Sequence, residues 1–264
     1  MLFLLSPAKS LDYETAAPAA MAALPPTPPL FVKHSKELID VLRGYSQPQI
    51  SELMDLSDNL SELNVKRYKA WSSRATVKNA RPALLAFDGD VYGGLDAYSL
   101  SSDDVAWAQA HVCMLSGLYG VLRPLDLMQR YRLEMGTSLP NTRGNTLYKF
   151  WDDEVAKYLN KRVKADSSAD GSGIVINCAS QEYFGAVNTK KLKAQVIECA
   201  FLDYKNGDYK TISFFAKRAR GLLTRFAITH KLETPEQLKD FNLDGYHFHA
   251  KSSSAERLVF RRKI

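Results

Sequence analysis

The 264-residue chain has few cysteines and no long apolar run. Its three cysteines, Cys113, Cys178 and Cys199, include no CxxC pair, which argues against a disulfide framework or a zinc finger. No stretch approaches the ~20 apolar residues of a membrane span. The apolar run at 2–5 is also too short for a signal peptide. We therefore expect a cytoplasmic protein with reduced, buried cysteines and no membrane contact.

The glycine motifs of the common nucleotide-binding folds are also missing. The run GDVYGG at 89–94 does not match GxGxxG, and no Walker A sequence is present. We read its glycines as tight turns. His247 and His249 alternate along one predicted strand, but two ligands are too few for a metal site. We expect no metal and no cofactor, and the sequence assigns no catalytic triad.

What is present is the pattern of a mildly basic globular protein, with 45% hydrophobic residues, a net charge of +6 and a sequence pI of about 9.1. The charge favours an anionic partner. Strands and helices alternate, and Asn206-Gly207 between two β-rich runs indicates a hairpin. This pattern predicts one mixed α/β (α+β) domain over 1–264, with a mixed sheet flanked by helices.

The individual elements follow from periodicity and punctuation. An extended loop is predicted over the proline-rich residues 16–29 and a flexible surface loop over 165–173. Strands are predicted at 2–5, 174–179, 196–204, 209–216, 245–249 and 257–262, and helices at 36–42, 46–56, 58–71, about 102–115, 145–160 and 217–231.

The stretch 111–136 combines two helical patterns, a glycine-bounded turn and several arginines. A second helix over about 121–128 would give a helix-hairpin-helix, whose turn brings backbone N–H groups to DNA phosphates. Two features depart from that motif. The usual hairpin has one residue between its glycines, whereas two residues separate Gly117 from Gly120, and Pro124 falls early in the predicted second helix. The alternative is a buried corner with Arg123 in an internal ion pair. The DNA-binding candidates here are Ser116, Gly117, Leu118, Tyr119, Gly120, Arg123, Arg130 and Arg132.

The helix predicted from Lys217 is amphipathic. At 100° per residue its apolar stripe comprises Ala219, Leu222, Leu223 and Phe226. The cations Lys217, Arg218, Arg220 and Arg225 lie off that stripe. They form either a phosphate-binding surface or an ordinary solvated face. Tyr119, Tyr131 and Phe215 near the cations are candidates for stacking on unpaired bases.

A second candidate site consists of polar residues that follow predicted strands. In α/β architectures ligands commonly bind where strands end. The candidate pocket comprises Lys9, Asp12, Asn177, Ser180 and Tyr183. These groups favour an enzyme acting on a small anionic or nucleotide-like substrate. Alternatively, they satisfy loop backbone groups.

Five segments carry a family resemblance: LFLLSPAKSLDY at the start, AFDGDVYGGLDA at 86–97, the stretch 111–136, NCASQEYF at 177–184 and ISFFAKRARGL at 212–222. Together they resemble the YaaA family of peroxide-stress proteins, from residue 2 to about residue 262. The resemblance implies a cytosolic bacterial protein that limits peroxide and iron damage. It also implies DNA binding, a helix-hairpin-helix-like element, no known catalytic activity and an architecture outside the standard superfolds.

The combined hypothesis is a DNA-binding protein that protects against peroxide damage. Phosphate contacts would dominate binding to double-stranded DNA, including bulged or damaged duplex. The alternative is the small-molecule enzyme with its site around Lys9, Asn177, Ser180 and Tyr183. A closed pocket away from the helix predicted at 217–231 would favour the enzyme, whereas a long basic groove would favour DNA.

Overall fold

The chain builds an open sheet whose strands are separated in sequence by helices. The computed structural model describes residues 1–165 and 173–263, so the loop predicted at 165–173 lies, apart from its two end residues, outside the described residues. The strands are β1 Leu2–Leu5, β2 Ser10–Leu11, β3 Arg81–Pro82, β4 Phe87–Asp88, β5 Val112–Ser116, β6 Gly120–Leu122, β7 Leu127–Met128, β8 Ile174–Cys178, β9 Gln195–Lys205, β10 Asp208–Lys210, β11 His247–Phe248 and β12 Arg257–Lys263.

The helices vary from single turns to one long element. They are α1 Ala19–Ala22, α2 Val32–Arg43, α3 Gln47–Met54, α4 Asp58–Ala70, α5 Ala83–Ala86, α6 Asp90–Leu95, α7 Ser102–His111, α8 Leu147–Trp151, α9 Glu154–Ala165, α10 Gln181–Phe184 and α11 Ser213–His230. Short 3-10 segments lie at Ala97–Ser99, Pro235–Asp240, Leu243–Gly245 and Ala250–Ser252.

The main sheet has the order β11-β12-β9-β8-β1-β5-β6, and β10 adds to β9 as a hairpin. The five strands from β12 to β5 pair in parallel, while β6 and β11 are antiparallel edges. The chain passes from β1 to β5 on one side and then returns to β8 on the other side of β1. The strand order therefore reverses at β1, and the loops that leave β1 and β8 diverge there.

The core follows from this topology. All four residues of β1 are fully buried, as expected for a parallel strand covered on both faces. One continuous apolar cluster joins β1, β5 and β8 to α2, α7 and α11. The prediction of one mixed α/β domain is confirmed.

The predicted hairpin is confirmed by backbone geometry. Asn206 (φ 56°) and Gly207 (φ 85°) form the turn between β9 and β10. Two positive φ values in sequence are what a two-residue hairpin turn requires. Thr234 and Gln237 form a capping box at the start of the 3-10 segment Pro235–Asp240. The predicted helix at 217–231 is α11, which begins four residues earlier, at Ser213.

Four predictions were wrong. The strand predicted at 209–216 ends at Lys210, because the following residues already belong to α11. The helix predicted to reach residue 115 ends at His111, because Val112–Ser116 pairs with β1 as a strand. The proline-rich loop contains the single-turn helix α1. The glycines of GDVYGG are not all turns, since Gly93 and Gly94 lie within α6.

Candidate functional site

The predicted helix-hairpin-helix is instead a buried β-hairpin between β5 and β6. No helix covers 121–128, where the chain forms β6 and β7. Ser116, Gly117, Leu118, Tyr119 and Gly120 are all buried, so this turn offers no backbone N–H groups to a phosphate.

The two glycines of that hairpin are required by packing. A Cβ at Gly117 would lie 2.2 Å from the carbonyl oxygen of Leu133. Gly120 has φ +66°, and a Cβ there would lie 2.7 Å from the Trp151 ring. Their role is therefore the close approach of neighbouring segments, which corrects the prediction that they approach phosphate.

The three arginines predicted around this turn are held by carboxylates of the same chain. Arg123 pairs at 2.8 Å with Asp126, which is fully buried. This is the internal ion pair left open as the alternative to phosphate binding. Arg130 pairs with Glu14 at 2.7 Å and lies over the ring of Tyr13.

Arg132 pairs with Glu134 at 3.0 Å.

The aromatic candidates are equally unavailable to bases. Tyr119 and Tyr131 are buried, with burial raising the pKa of Tyr119 to about 12. Phe215 lies beneath Arg262, whose guanidinium is 4.6 Å from its ring centroid.

The cations of α11 divide into two kinds. Arg225 donates to the carbonyl oxygens of Leu95 and Asp96, at 3.1 and 2.9 Å, and so binds the end of α6. Lys217, Arg218 and Arg220 form no ion pair or side-chain hydrogen bond with residues 1–165 or 173–263. Lys217 and Arg218 are exposed, whereas Arg220 is half-buried and its buried Nε has no partner.

Helix α11 is held against α6 at backbone contact. A Cβ at Gly221 would lie 1.8 Å from the carbonyl oxygen of Val91, and a Cβ at Gly94 would lie 2.2 Å from that of Arg218. Only glycine permits this approach at both points. The apolar stripe of α11 is confirmed, since Ala219, Leu223 and Phe226 are buried and Leu222 half-buried.

A crevice of about 360 Å³ opens where the strand order reverses. It lies beside the residues that follow β1 and β8, at the carboxyl ends of these parallel strands, which is the usual position of a ligand in such sheets. Five segments line it: Ser6 to Ser10, Asp88 to Tyr92, Glu134, the start of α10 at Ser180 to Tyr183, and Lys217 with Arg220 from α11.

Hydrogen bonds fix the inner end of the crevice. The Ser180 backbone N–H donates to Ser6 Oγ at 2.8 Å, and Ser6 Oγ donates to Ser180 Oγ at 3.3 Å. Tyr92 Oη donates to the Ser6 carbonyl oxygen at 3.0 Å. The loops after β1 and β8 are thus joined to each other and to α6. Burial raises the pKa of Tyr183 well above its usual value, so its hydroxyl is neutral.

The acidic residues of the crevice differ in whether they are engaged. Glu134 binds Lys9 at 2.8 Å in addition to Arg132. Glu182 accepts a hydrogen bond from the Gly136 backbone N–H at 3.0 Å. Asp88 and Asp90 make no side-chain hydrogen bond or ion pair with the residues that the structure describes. The end of β4 and the start of α6 therefore supply the crevice lining with two carboxylates that have no partner among the described residues.

The structure brings together three of the five predicted pocket residues. Lys9, Ser180 and Tyr183 line the crevice. Asp12 lies elsewhere and accepts hydrogen bonds from the Tyr98 hydroxyl and from the Glu14 and Thr15 backbone N–H groups. Asn177 accepts from the Ala179 N–H and lines a neighbouring cavity beyond Arg220.

Several lining residues were missed, namely Ser6, Asp88, Asp90, Glu134 and Glu182. For the first of them a signal existed, because Ser6-Pro7 directly ends the first strand. The crevice also includes Lys217 and Arg220 from α11. The candidate pocket and the cations of α11, which were predicted from the sequence as two candidate sites, therefore share one crevice.

The cysteines match the expectation of inert, buried thiols. All three are free and buried, and burial raises the pKa of Cys113 to about 11. A hydrogen bond between the Cys199 thiol and Cys178, together with burial, raises the pKa of Cys199 well above its usual range. Within residues 1–165 and 173–263 there is no cluster of His, Cys, Asp and Glu suited to a metal ion. None of the described helices has the length and apolarity to cross a membrane.

Fold and site together define a mixed α/β protein with a crevice, lined in part by charged side chains, at the reversal point of its parallel strands. The chain belongs to the family described as peroxide stress protein YaaA, whose sequence profile matches residues 1–252. This membership supports a role in peroxide stress.

Curated relatives match along their whole length. A UPF0246 protein of Variovorax paradoxus is 59% identical over 264 residues, covering 100% of both chains. A UPF0246 protein of Albidiferax ferrireducens is 57% identical over 263 residues, covering 100% of this chain and 98% of its own. A UPF0246 protein of Bordetella avium is 54% identical over 264 residues, with both chains fully covered.

Proposed function

We propose that this protein acts in the cytoplasm during peroxide stress by binding double-stranded DNA through the exposed end of α11. The observation that carries the proposal is the contrast among its arginines. Arg123, Arg130, Arg132 and Arg225 are bound by acceptors of the same chain. Lys217 and Arg218 are exposed and have no such acceptor within residues 1–165 and 173–263, so their charges are available to phosphate oxygens.

The expected binding is backbone-directed and modest. Two exposed cations neutralise at most two phosphates, with Arg220 reaching a third only from the crevice. Phosphate contacts carry no sequence information, and each contributes about 0.9 to the slope of log affinity against log salt concentration. The small number of contacts predicts weak affinity at physiological salt for perfect duplex.

Distorted duplex should bind more tightly. The crevice opens beside Lys217 and Arg220 and has a volume of about 360 Å³. An unpaired nucleotide that leaves the helix costs least to extrude, and it could enter this space while its phosphate meets the cations of α11. The buried Tyr119 and Tyr131 take no part in this arrangement.

The test is a salt series of duplex affinity, measured by fluorescence anisotropy on a short duplex and on the same duplex with one bulged base. The double variant K217E/R218E should bind at least ~10-fold more weakly, and its salt slope should fall by about 1.8. The bulged duplex should bind the wild type more tightly than the perfect one.

The matched control is K190E/K191E, which makes the same change of charge at two exposed lysines outside α11. Its affinity should fall by less than that of K217E/R218E. Equal losses in the two variants would mean that duplex binding follows net charge rather than α11, and the proposal would be withdrawn. Equal affinity for the two duplexes would remove the nucleotide-extrusion part alone.

A second candidate function is an enzyme acting on a small anionic or nucleotide-like substrate. The observation that favours it is the convergence of Lys9, Ser180 and Tyr183 in one crevice at the strand reversal point. Carboxylates, hydroxyls and cations within one pocket are the usual components of acid–base catalysis. Turnover of phosphorylated metabolites by the purified protein, abolished by changes at Arg220 but not at Arg218, would support this function over DNA binding.

A further inference from the structure

The crevice is lined by charges of both signs that have no ion-pair partner among the described residues. Lys217 and Arg220 belong to α11, Asp88 ends β4 and Asp90 begins α6. Across the described part of the chain no ion pair joins these two sets. The other charged residues of the lining are already engaged, as in the Lys9–Glu134 pair at 2.8 Å.

The unpaired state of Arg220 is energetically unfavourable without a ligand. Its side chain is half-buried, and its buried Nε has no hydrogen-bond partner in the described part of the chain. Leaving a buried donor unsatisfied costs its desolvation free energy. A fork of guanidinium N–H groups fits the oxygens of a phosphate or carboxylate. Arg220, which lines both the crevice and the neighbouring cavity, is therefore available to an anionic group that enters the crevice.

The backbone around the crevice is held in place by packing. Contacts at Gly94 and Gly221 bring α6 and α11 to backbone distance. The loops after β1 and β8 are joined by the Ser6–Ser180 hydrogen bonds. The positions from which Asp90 and Arg220 extend are thus set by the fold, which is the preorganisation expected of a binding site.

We infer that the crevice binds a small phosphate monoester that also carries hydroxyl or amino donors, of the size of a nucleoside monophosphate. Its phosphate lies against Lys217 and Arg220, and its donors face Asp90 and Asp88. This inference deepens the second candidate function by giving the class and orientation of its ligand. Lys217 is shared with the proposed DNA surface, whereas Arg218 belongs to that surface but does not line the crevice, so ligand binding and duplex binding are tested separately.

The experiment is isothermal titration calorimetry with adenosine monophosphate, guanosine monophosphate and ribose 5-phosphate as whole ligands. Inorganic phosphate and adenosine serve as the two half-ligands. A site with both charged sides should bind at least one whole ligand ~10-fold or more tightly than either half-ligand. The same protein preparation is tested for duplex binding, so that failure of one proposal is seen separately from failure of the other.

Two variants assign the cationic and the acidic side of the crevice, and two further variants serve as controls. R220M should weaken the whole ligand and inorganic phosphate but leave adenosine unchanged, whereas D90N should weaken the whole ligand and adenosine but leave phosphate unchanged. R218M, on the same helix but outside the crevice, is the matched control and should leave all titrations unchanged. Thermal unfolding verifies that each variant is folded, and R220K, which retains the charge, should retain part of the phosphate affinity if R220M does not fold.

Some outcomes would overturn the inference. Loss of affinity in R218M equal to that in R220M would place the phosphate on the outer surface. Inorganic phosphate that binds as tightly as every whole ligand would show that the acidic side contributes nothing. Absence of binding by all whole ligands at millimolar concentration would refute the inference while leaving duplex binding to be judged on its own assay.

Discussion

Two regions of this molecule are rich in arginine, and their arginines serve different ends. Around the β5–β6 hairpin, each arginine predicted to bind phosphate has a carboxylate partner from the same chain, as Arg123 has in buried Asp126. On α11, Lys217, Arg218 and Arg220 have none among the described residues. Local density of positive charge is therefore a poor indicator of binding, and the absence of an internal partner is a better one.

The largest expected difference between the regions is in stability. Arg123→Met leaves the fully buried Asp126 without its cation. Removing one partner of a buried ion pair costs about 3–5 kcal/mol, and we expect a loss near the lower value because Thr27 Oγ1 and the Arg123 N–H also donate to that carboxylate. Arg218→Met should change the unfolding free energy by less than about 0.5 kcal/mol. Urea unfolding of both variants measures the contrast, and similar values would abolish the distinction.

Arg225 sharpens the comparison, because it lies on α11 but behaves like the paired arginines. Its donation to the carbonyl oxygens of Leu95 and Asp96 ties α11 to the end of α6. Arg225→Met should lower the unfolding free energy by about 1–2 kcal/mol and leave duplex affinity unchanged. A variant that keeps its stability but loses duplex binding would place Arg225 on the DNA surface after all.

The smallest expected effect is on the pH dependence of the unfolding free energy, through the carboxyl group of Asp12. Burial raises the pKa of the Asp12 carboxyl, but hydrogen bonds from Thr15, Tyr98 and Glu14 outweigh it and hold the pKa below its usual value. A depressed folded-state pKa adds stability above the unfolded pKa of about 3.9, and this is lost as pH falls through the folded value. Asp12→Asn should therefore flatten the acid side of the stability profile below about pH 4. Parallel wild-type and variant profiles below that pH would contradict this assignment.

The sequence predicted the fold class where apolar runs and turn residues are unambiguous. Leu2–Leu5 and Ile174–Cys178 were recognisable as buried strands, and Asn206-Gly207 as a hairpin. The run Val112–Ser116 was not, because a short apolar run after a helix fits either element. The run forms a strand because it pairs with β1, and β1 is distant in sequence.

The site was predictable only in part, for the same reason. Lys9 and Ser180 follow strands directly, so strand order brings them to one edge. Glu134 and Asp90 reach the crevice only through tertiary packing, which no local pattern records. The pairing of Arg130 with Glu14 is equally invisible, whereas Arg123 and Asp126, three residues apart, gave a local signal of their ion pair.

The position of β1 at the centre of the sheet has a consequence for how the chain folds. Strand β1 pairs with β5 and β8, where Phe3 lies opposite Val112 and Ile176. During synthesis, more than a hundred further residues must follow β1 before either of its edges can be paired. Such non-local pairing slows folding and leaves strand edges exposed to aggregation. Protection of β1 thus depends on sequence that is synthesised much later.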